Sequence, residues 1–127
     1  MKPQEIRKES ELMVFVKLKD LVKYILEACS KSPVKFRYSI TNNLITTSLS
    51  VIEILYEANE MDIKDKGRLE KIREAMAKLK IVDFLTSLAC EVSCFSQKQY
   101  DVILSKIGVC SKYLLGYYNH SKNALTI

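Results

Sequence analysis

The sequence predicts an all-α fold, an antiparallel up-down four-helix bundle, and three observations predict it. Four segments repeat apolar residues at steps of three and four. The breaks between them are short. The 127 residues hold only three Gly and two Pro, too little punctuation for a many-turned β fold. The length suits one domain with its own core. Residues 1–127 therefore read as a single domain, with 1–11 and 119–127 expected to be loose because neither stretch carries a stripe.

The first helix is predicted over roughly residues 12–31. Val14, Leu18, Leu21, Ile25 and Cys29 form its stripe, widened by Phe15, Val22 and Leu26. Pro33 ends it, since it lacks a backbone donor and disfavours helix at Ser32. The second helix is expected to start between Pro33 and Tyr38 and to run to about Glu60. Its predicted inward stripe is Tyr38, Thr41, Ile45, Leu49, Ile52, Tyr56 and Asn59. The β-branched residues here would suit a strand, but apolar and polar positions do not alternate and the segment is too long for one.

The third helix begins near Lys64 or Arg68 and reaches Val92. Leu69, Ile72, Met76, Leu79, Val82, Leu85, Ala89 and Val92 carry its period, with Glu70–Arg73 and Glu74–Lys78 as supporting ion pairs. The fourth starts at a capping box, Ser96-Gln97-Lys98-Gln99, and continues through Tyr100, Ile103, Ile107, Cys110, Leu114 and Tyr117. Two regions exceed the needs of one bundle. Ile81–Phe95 has ten apolar residues among fifteen, and no charge occurs from Tyr38 to Ile52. Such surplus predicts burial against further subunits.

Catalysis is not expected. The single histidine, His120, leaves no base beside a nucleophile and no Glu-x-x-His pair for a di-iron site. The three glycines are isolated, so no phosphate-cradling loop exists. No cofactor is implied. Cys90 and Cys94, four apart, could share a helix face as half of a thiolate metal site if Cys29 and Cys110 converged on them; the alternative, small buried hydrophobes, is preferred and no metal is expected. No apolar run is long enough to span a bilayer and no export signal is visible, which predicts free thiols and a cytoplasmic protein.

The net charge of +5 is segregated. Leu12–Arg37 holds six basic and two acidic residues, Tyr38–Ile63 none and four, Lys64–Lys80 seven and three. Lys19, Lys23 and Lys31 are read as sharing a face of the first helix, with Glu27 between them; Lys64, Arg68, Lys71 and Lys78 are read as sharing one on the third. Merged, these faces would suit phosphates, giving contact with the backbone of RNA or DNA rather than its bases. An ordinary solvated surface is the competing reading.

The junction Lys31-Ser32-Pro33-Val34-Lys35-Phe36-Arg37-Tyr38-Ser39-Ile40, with Ile52-Glu53-Ile54-Leu55-Tyr56-Glu57-Ala58-Asn59 beyond it, resembles the accessory proteins of diversity-generating retroelements, the Avd family. Ser96-x-x-Gln99-Tyr100 and Lys112-x-Leu114-x-Gly116 extend the resemblance to roughly residues 14–120. Ser111 and Tyr117 depart from a glycine and a tryptophan of the family pattern. The resemblance implies a pentameric ring of four-helix bundles. It also implies a reverse transcriptase as partner, template RNA as ligand and no catalysis by the bundle itself. Arg37 and Lys112 match the family's basic positions. The same fold occurs in proteins encoded by intervening sequences of bacterial ribosomal RNA genes. A protein–protein scaffold of that type, docking through Glu53, Glu57, Glu60 and Asp62 without a nucleic-acid role, is the alternative.

Overall fold

The computed structural model describes residues 3–126, with side-chain surroundings from Met13 onward. The described residues form four α-helices: α1 (Pro3–Cys29), α2 (Asn42–Glu60), α3 (Lys66–Glu91) and α4 (Gln97–Leu125). A 3-10 turn (Val34–Phe36) and a π-turn (Arg37–Thr41) join α1 to α2. Each helix packs on its two chain neighbours, and α4 closes the cycle on α1. Short connections force alternate directions, so the fold is the expected up-down bundle.

Among the described residues, the stretches expected to lack structure, 3–11 and 119–125, are wound as helix. Helix α1 begins at Pro3, a residue that costs nothing in a first turn where the amide has no helical partner. Helix α4 runs to Leu125 because Ser121, deep in the region expected to fray, is buried against Arg68. Met1, Lys2 and Ile127 lie outside the described residues.

The α1 and α4 stripes are core: Val14, Leu18, Leu21, Ile25 and Cys29 face Ile103, Ile107, Cys110, Leu114 and Tyr117. The α2 stripe is displaced by one position. The buried row is Thr41, Leu44, Ser48, Val51, Leu55 and Ala58, whereas Leu49 and Tyr56 are exposed and Ile45 and Ile52 half-buried. Both rows have helical spacing, so period alone does not choose between them. The inward row is the one with small members: Ser48 and Ala58 lie with Ala75 of α3 in the core, which suits close approach of the two helices. The Ser48 hydroxyl donates to the Ile45 carbonyl at 2.8 Å, so its burial leaves no orphan. On α3 the buried set likewise takes in Arg68, Ala75 and Thr86, while Leu69, Met76, Leu85 and Val92 sit half-buried.

Local chemistry sets the helix ends. The Asp65 carboxylate accepts from the Gly67 amide at 2.8 Å and caps α3. The Ser96–Gln99 capping box is formed as expected. Helix α3 ends in a Schellman motif: the Cys94 amide donates to Ala89 O at 2.8 Å and the Ser93 amide to Cys90 O at 3.0 Å. Ser93 there has φ 64°, a left-handed position where glycine is usual. Cys94 therefore lies in the turn after α3, and Cys90 and Cys94 do not share a helix face.

Candidate nucleic-acid interface

The two basic rows read from the sequence meet different fates. Lys19 and Lys23 on α1 are exposed, as is Lys31, which falls in the turn beyond the helix end at Cys29 and not on its face; none forms an ion pair among the described residues. Glu27, the acid that falls in the row, is exposed, while Asp20, beside Lys19, is held by Lys106 of α4 at 2.6 Å. With three lysines against Glu27, this region keeps a net positive charge. Arg37 and Lys112 are exposed and equally uncommitted.

The α3 row does not form a surface. Arg68 is 1% exposed. Its guanidinium donates to Ala58 O at 3.1 Å and Met61 O at 3.3 Å, to the Tyr117 hydroxyl at 3.0 Å and to the Ser121 hydroxyl at 3.3 Å. It thus adds a second donor to Ala58 O, which already accepts from the Met61 amide, supplies one to Met61 O, and ties the end of α2 to α4. Lys71 is bonded to Glu57 of α2 at 2.7 Å, and that carboxylate first of all holds its pKa above the usual lysine value. Lys64 donates to Ala124 O at 2.7 Å, capping the last turn of α4. Lys78 is half-buried. Helices α1 and α3 also lie across the bundle diagonal, each packing on α2 and α4, so their basic faces cannot merge. The predicted Glu70–Arg73 pair is absent too: Arg73 turns to the Tyr118 hydroxyl at 2.7 Å and covers its ring.

The α1–α2 junction was legible only in part. Pro33 starts a tight turn in which Phe36 and Ile40 pack on the core and Thr41 is buried. Ser32 anchors it, its amide donating to Cys29 O at 3.1 Å and its hydroxyl to Cys94 O at 3.2 Å. Val34, Lys35, Arg37, Tyr38 and Ser39 face outward. Tyr38, expected in the core, is 82% exposed, and Lys35 lies 5.0 Å from the Phe36 ring.

The apolar surplus is also visible. Ile81 and Phe84 are exposed on α3, as are Leu49 and Tyr56 on α2. Phe15 of α1 stacks on Tyr56, with ring centroids 4.3 Å apart.

The cysteines are free thiols. Burial, aided by neighbouring Cys94, pushes the Cys29 thiol up to about 11. Burial, then Asp20, pushes Cys110 to about 12. An open pocket of about 750 Å³ beside Lys31 is lined in part by Cys90, Cys94 and Gln97. Among the described residues, no group of His, Cys, Asp and Glu could hold a metal, and no helix is long and apolar enough to cross a membrane.

No protein-family model matches this chain, and no curated protein matches it at a significant level. Its structure is similar to a crystal structure from Bacteroides thetaiotaomicron, a protein of unknown function from the S23 ribosomal protein family. The TM-score is 0.61 at 14% identity, over 88% of this chain and 97% of that one. At that identity the likeness establishes the shared four-helix fold, and the function has to be argued from the surface.

Proposed function

We propose that this chain is a non-catalytic accessory protein that binds nucleic acid through phosphate contacts and works as an oligomer. One observation carries the reading. Asp20 and Glu57 are each matched by a lysine, Lys106 and Lys71, while Lys19, Lys23, Lys31, Arg37 and Lys112 stay exposed without an ion-pair partner among the described residues. Uncommitted cations of this kind bind phosphates by releasing counterions. The resemblance to retroelement accessory proteins supports template RNA as the ligand and a reverse transcriptase as the partner. It also supports a ring of five, in which Ile81, Phe84, Leu49 and Tyr56 would find cover.

The test is RNA binding across a salt series with the wild type and a Lys19→Glu, Lys23→Glu double variant. Binding should weaken steeply with salt, and the double variant should lower the salt slope by roughly one to two units. Its fold should be untouched, since both side chains are exposed. Light scattering at a mass well above the 14.6 kDa of one chain would support assembly. A scaffold without a nucleic-acid role is the second reading, favoured by the exposed Glu53, Glu60 and Asp62 around the end of α2. It prevails if neither single strands nor duplexes bind at low salt.

A further inference from the structure

We infer that the α1–α2 junction is a single-strand contact point, where the ring of Tyr38 stacks on an unpaired base while Lys31, Lys35 and Arg37 hold the flanking phosphates. The inference rests on the nucleic-acid reading above and deepens it, naming the form of the ligand and the residue that tells it from a duplex.

Four features of the junction carry it. Tyr38 is 82% exposed, the most exposed large apolar side chain among the described residues. It makes no ring contact and no hydrogen bond among the described residues, so folding does not use it. Lys31, Lys35 and Arg37 fall within seven positions and are all exposed, and the chain has no acidic residue between Glu27 and Glu53. A partner at this point meets Lys31, Lys35 and Arg37 against one nearby carboxylate, Glu27 beside Lys31, with an aromatic face among them.

The backbone is held in a form suited to presenting that ring. Residues Arg37–Thr41 form a π-turn, a rare winding that often marks functional positions. It is pinned on both sides. Before it, Ser32 bonds the end of α1 and the α3–α4 turn; after it, the Asn43 side-chain Nδ2 donates to Ser39 O. Phe36 and Ile40 point inward as anchors. The tip is thus rigid at its base and bare at its surface, which limits the ordering cost of a contact there.

An aromatic ring amid cations is the recurring device for single strands, because every unpaired base offers a π-face and every linkage a phosphate. A duplex keeps its bases stacked on each other and offers only the phosphates. The Tyr38 ring should therefore separate the two forms, and the cations should not.

The experiment measures anisotropy of a labelled polyuridine strand and of a labelled RNA duplex of equal length, with the full chain at constant salt. Tyr38→Ala should weaken single-strand binding by about ten-fold or more and leave duplex binding within about two-fold. Tyr38→Phe, which keeps the ring, should restore the single-strand affinity. Arg37→Ala and Lys35→Ala should weaken both forms. Circular dichroism should be unchanged in all four variants. Wild-type binding with no effect of Tyr38→Ala overturns this inference alone, as does a Tyr38→Ala variant that keeps RNA but loses a partner protein or its own assembly. No binding of either RNA by the wild type at low salt overturns the nucleic-acid reading as well.

Discussion

At the end of the bundle where α2 passes into α3, Arg68 lies inside the protein with its donors spent on Ala58, Met61, Tyr117 and Ser121. At the opposite end, where α1 passes into α2, Arg37 stands in solvent with no such partner. The contrast shows that a basic residue's role follows from its acceptors and not from its charge. The α2–α3 connection is short, and a guanidinium at the first turn of α3 can reach several acceptors at the end of α2 and on α4 at once. At the α1–α2 junction the backbone turns satisfy themselves, and the arginine is left for something else.

The largest effect that would test this contrast is Arg68→Ala. It removes hydrogen bonds to four acceptors and opens space in a packed interior, so unfolding should become easier by about 3–4 kcal/mol. Arg37→Ala should change stability by less than about 0.5 kcal/mol. Equal losses at the two sites, measured by urea denaturation, would erase the distinction.

Alkaline pH probes the interior from another side. The Cys110 thiol has an ordinary value of 9.0, and burial raises it to about 12 in the folded chain. The unfolded chain gives up this proton first, so its folded neutral form contributes stability that is present below pH 9 and falls as pH rises toward about 12. Melting temperatures of wild type and Cys110→Ala should converge across that window. Cys90, half-buried at the pocket, should react with thiol reagents before Cys29, Cys94 and Cys110.

Two smaller gains should appear at and near the open end. Thr41 Oγ1 is buried with no hydrogen-bond partner among the described residues. Thr41→Val removes that orphan at nearly constant volume and should stabilise the fold by about 1 kcal/mol. Ser93 holds a left-handed φ of 64° in the α3 Schellman turn. Ser93→Gly should relieve it, with a gain of about 0.5 kcal/mol after the added freedom of the unfolded chain is counted. If Thr41→Val lost stability instead, the π-turn would need that hydroxyl and would be less self-sufficient than Arg37's freedom suggests.

How far the sequence could be read differs by helix. Helices α1 and α4 have one apolar row each, so their core faces were unambiguous. Helix α2 has two, Leu44-Ser48-Val51-Leu55 and Ile45-Leu49-Ile52-Tyr56, and hydropathy favoured the wrong one because it ranks Leu49 above Ser48. In the α3 row, Lys64, Arg68, Lys71 and Lys78 look alike as letters. Their separation into a helix cap, a buried hub, an ion pair and a half-buried side chain depends on Ala124, Tyr117 and Glu57, which are remote in sequence.

By itself, then, the sequence determined the class of the fold, the number and approximate extent of the helices, the α1 and α4 cores, and the capping box at Ser96. Each of these follows from residues within a turn or two of one another, where spacing and local hydrogen bonding are decisive. Only the tertiary structure decided which row of α2 turns inward, that α1 and α3 lie on a diagonal, that Arg68 is core and that Tyr38 is surface. Those outcomes turn on which helix lies beside which, and on whether a buried donor finds its acceptor across the bundle. A helical period is silent on both, because it specifies an angle about one axis and nothing about the next.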